Sequence, residues 1–226
     1  MDGPLPCARL TIVHGSGNAN SIGRHCVASA CSDYGTIAHQ TSSGATVFPN
    51  IRADLARYSP ANRHLPEPLA TLRSMLEYGF LATAIYRYGR WTRTIKPKVI
   101  SYPFKFIYGI LAMLCDVILG INISSNAQIG AGLYIGHYGG IFLHGDMGAR
   151  CSVGQGVTIG YKGAGKSTRP PVIGDDVYIG TSAVIIGPVT VGHRAVIGAN
   201  TTVVKDVPAG YTVVSERVRM IPPAQA

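Results

Sequence analysis

A six-residue repeat of aliphatic side chains runs through the second half of this 226-residue chain and limits its fold more than any other feature. Two uninterrupted series carry the repeat: Ile123, Ile129, Ile135, Ile141, Met147, Val153 and Ile159, then Ile173, Ile179, Ile185, Val191, Ile197 and Val203. A glycine follows the aliphatic residue in nine of these thirteen cases. Neither the 3.6-residue period of a helix nor the two-residue period of a strand produces this spacing.

The repeat predicts a parallel β-helix. Each rung supplies one short strand and one turn, three rungs close a triangular coil, and coils stack about 4.8 Å apart. Thirteen rungs give a little over four coils. We therefore expect a β-helix over residues 121–210 and a tail over 211–226. The fourteen-residue gap after Ile159 predicts that residues 161–172 leave the coil as a loop, where function often resides.

The first half of the chain divides into two zones. Residues 47–120 are predicted to form several short helices, since apolar residues recur at spacings of three and four between prolines. The apolar stretch Phe106–Ile121 is shorter than the roughly 20 residues of a membrane span, which favours a buried helix. Residues 1–46 lack periodicity and are interpreted as disordered, or as a non-native extension before a true start near Val47.

Charge and cysteine content narrow the class of protein. The net charge is +9, and ten Arg or Lys residues lie between Ile51 and Lys105 against three acidic ones. This basic zone is a solvated surface, or it attracts anionic lipid or a phosphorylated substrate; peripheral membrane contact stays open. No recognition motif accompanies it, so nucleic acid is not expected. Five cysteines without zinc spacing and the absence of a signal-like segment favour the cytoplasm.

The loop contains a phosphate-loop pattern that we reject. Residues 160–167 match G-x-x-x-x-G-K-[ST], but this motif binds phosphate only when a helix follows directly. Pro170 and Pro171 forbid that helix. Nucleotide hydrolysis is therefore not expected.

His137 is the residue best placed for chemistry. It follows Ile135 by two positions, at a corner whose neighbours include Gly139 and Gly140. An eighteen-residue coil would bring Asn122 close enough to approach its ring. A histidine held by such a partner can act as general base, with a pKa near 6.5. His144 and His193 are interpreted as solvated turn residues.

Three segments resemble the hexapeptide-repeat acyltransferases of the serine O-acetyltransferase branch: residues 129–140 (IGAGLYIGHYGG), 155–160 (QGVTIG) and 203–208 (VVKDVP). The resemblance covers about Ile51 to Arg219. It implies an all-β left-handed parallel β-helix with an N-terminal α-helical region, assembled as a homotrimer or hexamer. It also implies that acetyl-CoA, the acyl donor, binds between adjacent subunits, without a metal.

The resemblance also assigns residues to roles. His137 takes the place of the catalytic histidine that deprotonates the acceptor hydroxyl, with backbone amides stabilising the oxyanion. Gly160, Ala183 and Lys205 fall where the family lines its CoA groove. Two departures concern the acceptor: Asn122 stands where serine acetyltransferases carry a carboxylate, and Arg169-Pro170 where they carry Arg-His. Arg169 could still meet a carboxylate.

Several functions fit these features. The first is acetyl-CoA-dependent O-acetylation of L-serine, a step of cysteine biosynthesis. The second is O-acetylation of a sugar in exopolysaccharide or capsule synthesis, which the GLYIGH form also resembles. A metal-dependent hydratase would need three converging histidines, which His137, His144 and His193 do not provide by spacing. A non-catalytic scaffold would keep its binding partners after His137 is replaced.

Overall fold

The computed structural model describes residues 47–59, 66–163 and 169–215, which form a helical region followed by a parallel β-helix. The predictions made for residues 1–46 lie outside the described residues.

Four α-helices and one π-helical segment make up the helical region. They are α1 (Val47–Ala56), α2 (Glu67–Met75), α3 (Tyr78–Thr92), α4 (Lys98–Leu114) and the π-helical segment Cys115–Leu119. Pro66 and Pro97 occupy the N-cap positions of α2 and α4, where prolines are predicted to separate helices, but the predicted break at Pro103 is wrong because Pro103 lies inside α4. The π-helical segment ends at Gly120, which adopts φ +62°, a left-handed conformation suited to glycine.

Thirteen short strands follow in the described part of the chain. They are β1 (Ile121–Ile123), β2 (Tyr134–Ile135), β3 (Ile141–Leu143), β4 (Asp146–Met147), β5 (Ser152–Val153), β6 (Thr158–Gly160), β7 (Val172–Ile173), β8 (Tyr178–Ile179), β9 (Val184–Ile186), β10 (Thr190–Val191), β11 (Val196–Ile197), β12 (Thr202–Val203) and β13 (Thr212–Val213). They stack in parallel as sheet A (β1-β3-β6-β9-β12), sheet B (β4-β7-β10) and sheet C (β2-β5-β8-β11-β13). Three faces of one coil result, as the six-residue repeat predicts.

The register corrects the predicted ladder at one rung. Ile123 pairs with Leu143, an offset of 20 residues, and Leu143 pairs with Ile159, an offset of 16. In sheet A, Leu143 therefore stands between Ile123 and Ile159 in the column of paired residues, the position that the strict repeat predicts for Ile141. Relative to the six-residue rung, the corner before β3 is two residues longer and the corner after it is two residues shorter.

The coil also extends further than predicted. A single bridging residue, Val207, pairs with Val191, and β13 pairs with β11. With the bridge at Ile129, the described residues form fifteen rungs, or five coils, rather than thirteen. The predicted end at residue 210 is wrong because the spacing after Val203 shortens to four, which hides the last rungs from a strict six-residue count.

Side chains of the helical region satisfy the backbone at the open end of the first coil. Arg87 donates from Nη1 to the carbonyl of Ile129 and from Nη2 to that of Gly130, at 2.6 Å each. Asp54 Oδ1 accepts from the amides of Gly132 and Leu133, at 2.7 and 2.9 Å. The two charges also pair with each other, Arg87 Nε to Asp54 Oδ2 at 2.9 Å, and both side chains are buried.

Two buried tyrosines add to these contacts between the helical region and the first coil, which are called here the joint. Tyr86 Oη donates to the Ala127 carbonyl and accepts from the Ile129 amide, at 2.8 and 3.1 Å. Tyr58 Oη accepts from the Ile135 amide at 3.0 Å, and burial raises the pKa of this phenol. Because an unpaired strand edge invites further pairing, these contacts end the solenoid at its first coil.

The helix predicted to be buried is mostly exposed. α4 and the π-helical segment are continuous over 22 residues, from Lys98 to Leu119, and an 18-residue stretch of them has a mean hydropathy of 1.6 with only 6% of it buried. By length and composition alone this helix, hereafter the long helix, could cross a membrane. The sequence prediction placed its start at Phe106 and so missed the first eight residues.

Candidate active site

His137 lies in the long corner between β2 and β3. Its neighbours Gly139 and Gly140 adopt φ +97° and +68°, so the two extra residues form a turn that few side chains would allow. The Gly139 amide donates to the Leu119 carbonyl at 2.9 Å, and the Gly139 carbonyl accepts from the Gly156 amide at 3.1 Å. The corner is therefore fixed on both sides while its His137 side chain stays exposed.

Aromatic and amide groups surround this histidine corner. The ring of Tyr138 meets that of Tyr78, at the start of α3, edge to face with centroids 4.9 Å apart. In the next coil, the side-chain amide of Gln155 lies 3.6 Å from the point that a Cβ on Gly139 would occupy. Among the described residues, His137 itself has no hydrogen-bond partner, so its imidazole is free to meet a ligand.

The predicted pairing of Asn122 with His137 is wrong. Asn122 Oδ1 lies 2.7 Å from Nε2 of His144, and the predicted solvated turn residue is therefore a partner of Asn122. The cause is the long corner: the offset of 20 residues sets Asn122 opposite Phe142, and Gly120 rather than Asn122 lies against the histidine corner. A strict eighteen-residue coil could not reveal this pair.

The Asn122–His144 pair lines a cavity of about 210 Å³ beneath the long helix. Its walls are polar and apolar in about equal measure: Tyr86, Tyr108 and Cys115 lie among them, and Asn122 and His144 line the side toward sheet A. Burial raises the pKa of the Cys115 thiol to about 11. The thiol is therefore neutral near pH 7 and is not a nucleophile there.

Three of the other predicted site residues, Gly160, Arg169 and Lys205, lie along the opposite border of sheet A. Gly160 ends β6, and a Cβ added to it would meet nothing within 4 Å, so space is open beside it. Arg169 lies in the loop that follows β6, and Lys205 follows β12; both side chains are exposed. Sheet A therefore separates this border from the corner that carries His137.

Ala183 does not fit its predicted role. Its side chain is fully buried in the coil, and its amide and carbonyl bond to Gly180 and Thr158. It therefore offers no surface to a ligand. The resemblance identified the position, but the side chain points inward because Ala183 lies two residues before the ladder residue Ile185.

The loop after β6 returns to the coil at Pro171, whose carbonyl accepts from the Asp146 amide at 2.9 Å. β7 begins at Val172, the residue predicted to be the last of the loop, and follows the prolines directly. Among the described residues β7 is the first regular element after the motif, whereas a phosphate loop is followed directly by a helix. Residues 164–168 lie outside the described residues.

Within the described ranges, no group of three or more His, Cys, Asp or Glu side chains is arranged to hold a metal ion. His193 accepts at Nδ1 from the Asp175 amide, 2.9 Å away, at a different corner of the coil from His137 and His144.

Family models match two parts of the chain. Residues 115–137 match the hexapeptide repeat of succinyl-transferase, and residues 170–205 match the bacterial transferase hexapeptide, six repeats. A serine acetyltransferase of Helicobacter pylori is 37% identical over 120 residues, which cover 52% of this chain and 70% of the relative. One of Bacillus subtilis is 34% identical over 137 residues, covering 58% and 61%.

A solved structure agrees with these relatives. The crystal structure of Neisseria gonorrhoeae serine acetyltransferase in complex with serine aligns with a TM-score of 0.61 and 30% identity, over 77% of this chain and 69% of that one. The likeness confirms the predicted left-handed parallel β-helix with an N-terminal helical region.

Proposed function

Because this chain belongs to the serine acetyltransferase family of hexapeptide-repeat acyltransferases, we propose that it transfers an acetyl group from acetyl-CoA to the hydroxyl of L-serine. The observation that carries the proposal is His137, an exposed imidazole without a hydrogen-bond partner among the described residues, in a corner shaped by two left-handed glycines.

In the proposed reaction His137 acts as general base. It takes the proton of the serine hydroxyl while the oxygen attacks the thioester carbon, giving a tetrahedral intermediate. Collapse of the intermediate breaks the carbon–sulfur bond and expels CoA thiolate, which recovers the proton from the imidazolium. The products are O-acetylserine and CoA. Asn122, committed to His144, is not part of this proposal as the partner of His137.

The remaining roles are assigned by charge and space. Arg169 is proposed to bind the carboxylate of serine, and Lys205 a phosphate of CoA, because both cations are exposed on the same border of sheet A. The open space beside Gly160 would admit the donor's pantetheine arm. Acetyl-CoA is a substrate in this scheme, and the scheme uses no metal.

Assembly follows from the separation of these groups. His137 lies on one border of sheet A, and Gly160, Arg169 and Lys205 lie on the other. A groove between neighbouring copies could bring the corner of one coil to the opposite border of the next, which supports a homotrimer, single or paired into a hexamer. Cytoplasmic location is proposed on the free thiols of Cys115 and Cys151.

The test is release of CoA thiol by the full-length protein with acetyl-CoA and a panel of acceptors. We expect L-serine to be the best acceptor. Arg169→Gln should raise the KM for serine more than the KM for acetyl-CoA, whereas Lys205→Gln should do the reverse. Turnover of nucleotide sugars or oligosaccharides without turnover of L-serine would contradict the acceptor, and no thiol release with any acceptor would contradict the activity.

Sedimentation equilibrium tests the assembly separately. A trimer or a hexamer agrees with a shared groove. An active monomer would contradict it, because the two borders of sheet A would then have to act within one chain.

A further inference from the structure

The outward side of the long helix is an apolar surface for which the described residues provide no cover. Ten large apolar side chains, each 42–79% exposed, make up this surface, called here the outer face: Val99, Ile100, Tyr102, Phe106, Ile107, Ile110, Met113, Leu114, Val117 and Ile118. Contiguous apolar surface of this extent on a soluble domain marks a contact with another molecule or a membrane.

The inward side of the same helix is engaged with α3. Tyr88 Oη donates to the Phe104 carbonyl at 3.3 Å, and the Phe104 ring meets Trp91 edge to face at 5.5 Å. The Tyr108 ring fills the notch left by Gly89, where an added Cβ would lie 2.3 Å from Tyr108 Cε2. A bilayer-spanning helix would have to part from these contacts, so the helix is built to lie along a surface.

Charge identifies the kind of surface. Between Tyr78 and Leu119 the sequence contains six basic residues and one acidic residue, Asp116, which is exposed near the C-terminal end of the long helix. Arg87 is buried against Asp54, and the other five are at least partly exposed: Arg90, Arg93, Lys96, Lys98 and Lys105. At 3.6 residues per turn, Lys98 and Lys105 lie one above the other along a border of the outer face.

We propose that the outer face docks on an anionic lipid bilayer, with the long helix lying in the plane of the interface. An amphipathic helix of this kind buries its apolar side at the boundary of headgroups and acyl chains, while border lysines extend to lipid phosphates. Tyr102, 66% exposed, suits the same boundary with its apolar ring and polar hydroxyl.

A second copy of this chain fits the outer face less well. Antiparallel symmetric pairing of two such faces would bring two lysine borders of the same sign together, whereas an anionic bilayer matches both the apolar side chains and the excess of positive charge. The proposal does not depend on the acetyltransferase activity.

Flotation of the full-length protein with phosphatidylcholine vesicles, with and without phosphatidylglycerol, tests the proposal. We expect flotation with the anionic vesicles that weakens as salt is added. Phe106→Asp with Val117→Asp, at sites 71% and 79% exposed, should abolish it. Tyr211→Asp, a matched change at a tyrosine 49% exposed on the last coil, should leave it intact.

A second variant tests the charge. Lys98→Gln with Lys105→Gln should weaken binding to the anionic vesicles about fivefold for each lysine. Circular dichroism and the urea midpoint should match the wild type in every variant, because all the altered side chains are exposed.

Three results would overturn the proposal. The first is a wild type that does not float with anionic vesicles at low salt. The second is a double-aspartate variant that floats as well as the wild type. The third is bound protein that resists both high salt and alkaline carbonate, which would indicate a spanning helix. A wild type that does not float, together with a double-aspartate variant of lower mass in sedimentation equilibrium, would assign the outer face to a second copy.

Discussion

The β-helix and the helical region bury their apolar side chains to opposite extents. In the coil, ladder residues such as Ile159 and Ile185 are fully buried, whereas Val117 of the long helix is 79% exposed. Each rung of a solenoid packs against the rungs above and below it, so the chain supplies its own cover. A helix buries only the side that meets a partner, and the partner of the outer face is not part of the described chain.

The largest effect is expected at the joint between the two regions. Asp54→Ala would leave the buried guanidinium of Arg87 unpaired and two amides without an acceptor. The free energy of unfolding, measured in urea, should fall by about 3–5 kcal/mol. Asp176→Asn, which disrupts the exposed pair with Arg150, is the matched control and should leave the free energy of unfolding nearly unchanged. Equal losses would show that burial is not what makes the joint strong.

The contrast between the regions can be measured with one pair of truncations. Ile185→Ala should lower the free energy of unfolding by about 2–5 kcal/mol, because it opens a cavity in the axis of the coil. Met113→Ala removes a side chain that is 58% exposed on the outer face, and its effect should stay within about 0.5 kcal/mol. A large loss for Met113→Ala would mean that the outer face is covered in the folded protein.

How far the sequence predicts each region follows from the same contrast. The six-residue period identifies the coil because, at nearly every rung, the residue that the repeat predicts is the one that occupies the buried, paired position. It fails at Ile141, where the long corner shifts the column to Leu143. That local shift also explains the error over Asn122, since a pairing predicted from an eighteen-residue coil is wrong where the coil has twenty.

In the helical region the sequence predicts helices but not their environment. Spacings of three and four identify an apolar side, as at Leu69 and Leu72, yet these residues are 49% and 53% exposed. The roles of Tyr58 and Tyr86 as caps of the first coil could not be read from spacing, because those bonds join positions 41 to 77 residues apart.

A smaller, pH-dependent effect is expected inside the coil. Burial raises the pKa of Cys151 to about 11 in the folded protein, from an ordinary value of 9.0. The folded state thus keeps this proton where the unfolded state loses it, so the contribution of Cys151 to stability is complete below pH 9 and is lost as pH rises toward 11. Cys151→Ala should therefore lose less stability than the wild type between these pH values in urea titrations.

Alkylation offers a check on the same thiol. Iodoacetamide at pH 8 should modify Cys151 only after urea unfolds the protein, as judged by peptide mass spectrometry. Rapid modification of the native protein would contradict a buried, neutral thiol.

The most direct test of the proposed chemistry compares two histidines that lie on either side of β3. Steady-state kcat/KM for L-serine should fall about 10²- to 10⁴-fold in His137→Asn, the loss of a general base. His144→Asn disrupts the contact with Asn122 but leaves the proposed base in place. Its kcat/KM should therefore stay within about tenfold of the wild type, which corresponds to a change of about 1.4 kcal/mol or less in the activation free energy. Wild-type turnover in His137→Asn, or an equal collapse in His144→Asn, would contradict the assignment of His137 as the base.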